Sequence, residues 1–162
     1  MPSLRLRFKK KADANVVFTA VRQDGTATSS SIGPADRFGP VHDMTHYVVE
    51  TSLGFKHGFL GLLASGRNIE DFDKGAKHWL PAEAVCAEAI AGELSREAMT
   101  GDHLSAEDFN WTTRDVLTRS SISYSPPTLT AEQLSAMHIA LAALRRRWDA
   151  LAPNETLELT FD

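Results

Sequence analysis

The sequence predicts an α+β fold in which a small antiparallel sheet, made of N-terminal hairpin strands and a C-terminal strand, packs against four to five helices. Two observations support this prediction. Apolar and polar residues alternate near both ends of the chain, as in half-buried strands, and helical periodicity dominates between them. Because no internal repeat or long linker interrupts the sequence, we expect a single domain over residues 1–162.

The N-terminal part of the chain predicts three strands. Residues 4–8 alternate apolar side chains with arginines, so the first strand has one apolar and one basic face. Residues 16–21 form the second strand, and Asp24 and Gly25 then provide a hairpin turn, because both central positions of a type I′ turn need a positive φ. Residues 26–32, rich in serine and threonine, suit a third strand at the edge of the sheet.

Two prolines mark the starts of the next long helices, because proline lacks the N–H that the first turn of a helix leaves unused. Pro40 opens a helix to about residue 53, and Pro81 opens a helix to about residue 99 with Glu88 among its solvated positions. Between them, Asn68 is a predicted N-cap of a short helix. The glycine-spaced apolar run over residues 58–63 favours neither helix nor strand.

The last helix is the clearest element of the sequence. The capping-box pair Thr130 and Gln133 predicts the start of this last helix. Ser105 predicts the start of the preceding helix. The apolar residues of the last helix recur at alternating spacings of three and four, and they are Leu134, Met137, Leu141, Leu144, Trp148 and Leu151. This stripe suits packing against the protein's own sheet, although the helix over residues 131–151 is also a predicted interface of a homo-oligomer.

Residues 157–161 alternate apolar and polar side chains and predict a closing strand. The polar face of this strand carries Glu158, whereas that of the first strand carries Arg5 and Arg7. Pairing of the two terminal strands places opposite charges across from one another, so we predict that they are neighbours in the sheet.

Composition narrows the classes of partner. The formal net charge of -4 gives no general attraction for phosphate backbones or anionic lipid, so we expect neither nucleic acid nor a membrane as a partner. The single cysteine, Cys86, cannot form an internal disulfide, and no segment matches a signal peptide or a membrane span. We therefore expect a cytoplasmic protein whose partner is a small molecule or a peptide.

The residues best suited to catalysis or metal binding are concentrated on the first long helix, in the segment His42-Asp43-Met44-Thr45-His46-Tyr47-Val48-Val49-Glu50. His42 and His46 are one turn apart, with Cβ atoms ~6 Å from each other, so both imidazoles can reach one metal ion. HExxH zinc enzymes use this spacing, and here Asp43 stands where they carry glutamate. Asp43 is therefore the predicted catalytic residue, as general base or as orienting group, although its side chain is one carbon shorter.

Glu50 continues the helical spacing and is the third predicted metal ligand. His42 and Glu50 are ~12 Å apart along the helix axis, however, so one ion cannot be held by all three side chains. Either His46 and Glu50 form the working pair, or His42 and His46 do so with a third ligand from elsewhere, His57 being the nearest candidate in sequence. The predicted ion is Zn, Mn or Fe, and the predicted chemistry is metal-assisted hydrolysis.

A structural interpretation of the same segment stays open. His42 and His46 can be histidines at the edge of the core, satisfied by a backbone carbonyl or by Asp43 and Glu50, in a non-catalytic binding or assembly protein. The adjacent His42 and Asp43 also suggest an HD-type phosphohydrolase, but that class is all-helical and the predicted strands do not fit it.

The motif HDxTHYVVE, followed by GFLGLLASG within residues 40–66, resembles a motif of small bacterial proteins. The resemblance brings no activity with it. It implies that His42, Asp43, His46 and Glu50 form one unit, and it implies nothing about a substrate.

Overall fold

The N-terminal hairpin and the C-terminal strand join in one sheet, as the sequence predicts. The structure, a computed structural model, describes residues 2–73 and 79–162. Its strands are β1 (Leu4–Lys10), β2 (Val16–Arg22), β3 (Ala27–Ile32) and β4 (Thr156–Phe161). All neighbours in the sheet are antiparallel, in the order β3-β2-β1-β4.

The predicted pairing of the two terminal strands is confirmed. Arg7 on β1 lies directly opposite Glu158 on β4, and Arg7 Nε is 2.9 Å from Glu158 Oε1. Both side chains are about half exposed, so this ion pair stabilises the fold by no more than roughly 0.2–1 kcal/mol. The apolar partners on the other face, such as Leu6 opposite Leu159, are buried and contribute more to holding the strands together.

Five α-helices and one short 3₁₀ helix make up most of the remaining described residues. The α-helices are α1 (Phe38–Leu53), α2 (Phe59–Ala64), α3 (Ala82–Thr100), α4 (Ala106–Arg119) and α5 (Ala131–Asp149). The 3₁₀ helix, Ile69–Phe72, is capped by Asn68 as predicted. The predicted α+β fold is thus confirmed, and α2 occupies the glycine-spaced run that the sequence pattern leaves open.

The hydrophobic core lies between one face of the sheet and the helices. The alternating strand residues Leu4, Leu6 and Phe8 are fully buried, and they join apolar residues of α1, α2, α3 and α5 in one cluster. The predicted stripe of α5 belongs to this cluster, with its first four members buried and Trp148 and Leu151 packed at its margin. The stripe is therefore used inside the chain, and a homo-oligomer through residues 131–151 stays a prediction.

Not every apolar position of the helices is buried. Trp111 is 59% exposed, because Phe109, Thr113 and Leu117 turn the opposite face of α4 toward the core. None of the helices within residues 2–73 and 79–162 combines the length and apolar character that crossing a bilayer requires.

The packing of α1 against α3 positions the candidate site. A carboxylate in the first turn of α3, Glu83, accepts hydrogen bonds from the backbone N–H groups of Lys56 and His57, at 3.2 and 2.6 Å. These bonds tie the loop between α1 and α2 to the start of α3. The relative placement of α1, α2 and α3 is therefore fixed near the C-terminal end of α1, where Glu50 lies.

Candidate metal centre

Residues from two helices meet at the candidate metal centre. His42 and His46 lie one turn apart on α1, and Glu88 lies on the facing side of α3. His46 Nε2 is 2.8 Å from Glu88 Oε2, and His42 Nε2 is 3.2 Å from Glu88 Oε1. One ligand atom from each of the three residues can be chosen so that all lie within 4.8 Å of one another, which is close enough to hold one metal ion.

The second ring nitrogen of His46 is held by a buried carboxylate. His46 Nδ1 is 3.0 Å from Glu50 Oε2, and the other oxygen, Oε1, accepts a hydrogen bond from the N–H of Leu60 at 3.0 Å. Glu50 is fully buried, so its carboxylate has a fixed orientation. A proton on Nδ1 is donated to Glu50, so when the ring is neutral the lone pair of Nε2 lies on the side of Glu88.

His42 is oriented by a similar but weaker contact. The Ser95 hydroxyl donates to the carbonyl of Ala91 at 2.6 Å, so its oxygen is free to accept a hydrogen bond. His42 Nδ1 lies 3.4 Å from that oxygen, and donation from Nδ1 again leaves Nε2 turned toward Glu88. Both imidazoles therefore present the same nitrogen to the third residue.

Gly58 makes room for the buried carboxylate of Glu50. A Cβ atom built at Gly58 meets Glu50 Oε1 and Cδ at distances that real atoms do not adopt. Gly58 has a negative φ of -76°, so its backbone conformation does not itself require glycine. The close approach of the Glu50 carboxylate is the reason that a side chain does not fit here.

The charged groups of the centre stabilise one another's ionised forms. Burial opposes a charged imidazole, but the hydrogen bonds to Glu50 and Glu88 outweigh it and raise the pKa of His46 to about 10. Partial burial also opposes ionisation of Glu88, yet the hydrogen bonds from His42 and His46 hold the pKa of Glu88 well below its usual range. At neutral pH the metal-free centre thus contains an imidazolium ion at His46 and a carboxylate at Glu88.

A cavity of about 280 Å³ lies against this centre. Its polar wall consists of His42, Asp43, His46, Asp73 and Glu88. Its apolar wall consists of Phe59, Ile69, Phe72, Leu80 and Ala84. Burial raises the pKa of the Asp43 carboxyl to about 6, against the opposing effect of the charges on His46 and His42.

The predicted site residues are not all in the positions that the sequence suggests. His42, His46 and Asp43 line one cavity, whereas Glu50 lies behind His46, on the Nδ1 side of its ring. His57 is largely exposed and pairs with Glu83, with His57 Nδ1 3.1 Å from Glu83 Oε2. His57 is not a member of the group whose ligand atoms converge, so it does not provide the third ligand.

Glu88 is the residue that sequence analysis misses. Its position on α3 agrees with the predicted solvated face, and its side chain is 64% exposed. The helical rise along α1 indicates that a further ligand must come from another segment, and the structure brings Glu88 of α3 beside both histidines. Which residue lies there depends on how α1 and α3 pack, and no local sequence pattern predicts that packing.

A second ionisable cluster lies elsewhere, among residues that carry no motif in the sequence. His103 and His138 stack with ring centroids 4.0 Å apart, and His138 Nε2 is 2.9 Å from Oε2 of the buried Glu97. These two atoms are close, but their geometry does not make a hydrogen bond, and neither has another partner. His78, the third histidine without a motif, lies outside the described residues.

Comparison with known proteins adds no assignment. No protein-family model, curated protein or solved structure matches the chain. The resemblance of the HDxTHYVVE segment to small bacterial proteins therefore stays a prediction, and the function has to be inferred from the geometry of the cavity.

Proposed function

We propose that His42, His46 and Glu88 bind a divalent metal ion, Zn, Mn or Fe, and that the protein catalyses metal-assisted hydrolysis in the adjoining cavity. The observation that carries the proposal is the convergence of three ligand atoms, from two helices, within 4.8 Å. Two imidazoles and one carboxylate are a ligand set used by zinc and by non-haem iron enzymes.

The separations between the histidine nitrogens and the Glu88 oxygens suit an ion after a small adjustment. Two atoms that each lie about 2.1 Å from a zinc ion with tetrahedral geometry are about 3.4 Å apart. The Nε2 atoms of His42 and His46 are 3.2 and 2.8 Å from their nearest Glu88 oxygens, so the ligands need to separate by a few tenths of an ångström. The exposed side chain of Glu88 has room for that movement.

The set of ligands also fits catalysis better than a purely structural site. Structural zinc sites are closed by four protein ligands, whereas catalytic sites keep a position open for water or substrate. Three ligands beside a cavity leave such a position. Glu50 contacts His46 Nδ1, which is the position from which a carboxylate commonly orients a histidine metal ligand.

Asp43 is the proposed proton acceptor of the reaction. Its carboxylate lines the cavity next to His42, and no described residue donates a hydrogen bond to it. A divalent ion at the centre supplies Lewis acidity for the bond that is cleaved. Asp43 accepts the proton that the attacking water loses as its oxygen bonds to the substrate, and then gives that proton to the group that leaves.

The second candidate function is a non-catalytic binding or assembly protein. It is supported by the fact that both nitrogens of His46 have carboxylate partners without any metal. In this case the His42, His46, Glu50 and Glu88 cluster is a buried polar network that stabilises the packing of α1 on α3. The two candidates differ in whether the cluster binds metal.

Elemental analysis of protein purified without an affinity tag or chelator tests the proposal. The wild-type protein is expected to carry about one Zn, Mn or Fe ion per chain. Glu88→Gln removes the charged ligand from an exposed position and should lose most of this metal without unfolding the protein. Glu107→Gln, an exposed glutamate of α4 that does not line the cavity, is the matched control and should keep the metal.

Two results contradict the proposal. One is a wild-type protein without stoichiometric metal whose melting temperature ignores added Zn, Mn and Fe, because a ligand that binds the native state must stabilise it. The other is equal metal content in the wild-type protein and in Glu88→Gln. Either result favours the structural network.

A further inference from the structure

We propose that the cavity next to the metal ligands binds a small uncharged molecule with an aromatic body, and that this is the substrate class of the site. The polar group of the molecule faces His42 and His46, and its ring packs against Phe59 and Phe72. The proposal rests on the proposed function for the polar end, whereas its aromatic end rests on the cavity wall alone.

The apolar wall consists of aromatic rings that extend outward from the centre. The Phe59 ring is 5.3 Å from the His46 ring and 4.7 Å from the Phe72 ring, and the Phe72 ring is 5.7 Å from that of Trp79. Phe59 and Phe72 meet edge to face, at 71°. Aromatic rings attract one another in offset and edge-to-face geometries at centroid distances of about 4.5–7 Å, so a ligand ring extends this arrangement.

This wall is anchored to the sheet and is therefore formed before a ligand binds. Arg22 of β2 donates to the Leu63 carbonyl at 2.8 Å and to Asn68 Oδ1 at 2.9 Å. The N–H of Ile69 donates to Thr28 Oγ1 of β3 at 3.0 Å. Both contacts hold the segment from α2 to the 3₁₀ helix, which carries Phe72, against the strands. Preorganisation of this kind reduces the cost of binding.

The charge of the lining selects against anions. Asp43, Asp73 and Glu88 contribute three carboxyl groups, and none of the lining residues in the described part of the chain is a lysine or an arginine. A divalent ion offsets two negative charges at most. Among the described lining residues, a carboxylate or phosphate ligand therefore meets no lysine or arginine side chain, in contrast to sites that hold anions with these residues.

The size of the cavity sets the scale of the ligand. A volume of about 280 Å³ is close to the lower end of ordinary small-molecule sites, roughly 300–1,000 Å³. A single-ring molecule with a short polar group fits this scale, and a folded protein segment does not. Of the two predicted partner classes, small molecule and peptide, the cavity favours the small molecule.

Three probes separate the aromatic end from the polar end in zinc-loaded protein. Benzohydroxamic acid is uncharged in solution near neutral pH and has a metal-binding group and a ring, acetohydroxamic acid has the same group without the ring, and phenyl phosphate has a ring with a group that is already anionic in solution. Isothermal titration should give benzohydroxamic acid a Kd at least about tenfold lower than that of acetohydroxamic acid, because burying a ring contributes about 1.5–3 kcal/mol. The Kd of benzohydroxamic acid should also be at least about tenfold lower than that of phenyl phosphate, because the carboxyl groups of the lining oppose an anionic ligand.

A matched pair of variants shows where the ring binds. Phe72→Leu, in the wall of the cavity, should weaken benzohydroxamic acid by about threefold to tenfold and leave acetohydroxamic acid unchanged. Phe55→Leu makes the same substitution at a partly buried position outside the cavity and should leave both affinities unchanged. Zinc content is measured for each variant before the titrations.

The outcomes distinguish this inference from the proposed function. If zinc binds but the two hydroxamic acids have equal Kd values, or phenyl phosphate binds as tightly as benzohydroxamic acid, the inference is wrong and the metal site stands. If Phe55→Leu weakens benzohydroxamic acid as much as Phe72→Leu, the ring does not bind at the proposed wall. If zinc does not bind, both the metal site and the inference are wrong.

Discussion

At the scale of single residues, His46 is the best-determined part of the candidate centre. Each of its ring nitrogens faces a carboxylate, Glu50 at 3.0 Å and Glu88 at 2.8 Å, and the ring itself is buried. The two carboxylates have different environments, because Glu50 is fully buried and Glu88 is exposed. This difference suits Glu50 to orienting the imidazole and Glu88 to contacting the metal ion that we propose.

Glu50→Gln tests this division of roles. The glutamine oxygen can keep the hydrogen bond from the Leu60 N–H, which turns the NH₂ group toward His46 Nδ1. His46 Nδ1 must then accept, so its proton moves to Nε2 and blocks the lone pair that binds metal. Zinc affinity, measured by competition with a chelator, is expected to fall about 10–100-fold.

The control for this variant is Glu97→Gln, because Glu97 is also a fully buried glutamate but does not line the cavity. Its zinc affinity should equal that of the wild-type protein. An unchanged affinity in Glu50→Gln, with the variant still folded, would mean that Glu50 does not orient a metal ligand.

At the scale of secondary-structure elements, the second ionisable cluster joins three segments. Glu97 of α3 faces His138 of α5, and its other oxygen accepts a hydrogen bond from the N–H of Leu104, just before α4, at 3.1 Å. Burial raises the pKa of Glu97 and lowers the pKa of His138, so both groups favour their neutral forms. The junction of these helices is therefore sensitive to pH.

The sign of this sensitivity follows from the Glu97 pKa. Because the folded protein binds the Glu97 proton more tightly than the unfolded chain does, the stabilisation is complete below the unfolded value of about 4.5. It is lost as the pH rises through the folded pKa. Glu97→Gln should remove this loss, since the amide keeps the acceptor for Leu104 and does not ionise.

Urea unfolding of the wild-type protein and of Glu97→Gln, at about pH 5 and about pH 8, measures the difference. The stability of the variant relative to the wild-type protein should be greater at the higher pH. Groups such as His46 titrate in both proteins and cancel in the comparison. A relative stability that is independent of pH would show that Glu97 has an ordinary pKa.

The elements that sequence analysis predicts are those with local signals. Alternation identifies β1 and β4, and opposite charges at Arg7 and Glu158 predict that the two strands pair. The spacing of three and four identifies α5. The exposure of Trp111 has no such local signal, because a tryptophan fits the helical sequence on either face and only the packing of α4 determines which face is buried.

The candidate centre is predictable only in part, for the same reason. His42 and His46 are recognisable because they occupy one face of one helix. Glu88 is 42 positions away from His46 in sequence and meets it only where α3 packs on α1. The fixed rise of a helix still indicates, from the sequence alone, that a metal site at His42 and His46 needs a ligand from another segment.

At the scale of the whole molecule, the fold brings a sheet-anchored aromatic wall and an acidic, histidine-containing wall to one cavity. Arg22 connects β2 to the segment that carries the aromatic wall, and Glu83 connects α3 to the loop that follows α1. The cavity therefore depends on elements from both ends of the core. Its two walls match the metal ion and the uncharged aromatic ligand that we propose.

Calorimetric titration of zinc into protein stripped of metal by a chelator is the most direct test of this account. We expect zinc to bind saturably with a stoichiometry of about one. We also expect proton release, because the ion displaces the proton that His46 holds with a pKa of about 10. Proton release is measured by repeating the titration in buffers of different ionisation enthalpy. Heats no larger than those of dilution, or zinc binding that Glu88→Gln leaves unchanged, would contradict a metal centre at His42, His46 and Glu88.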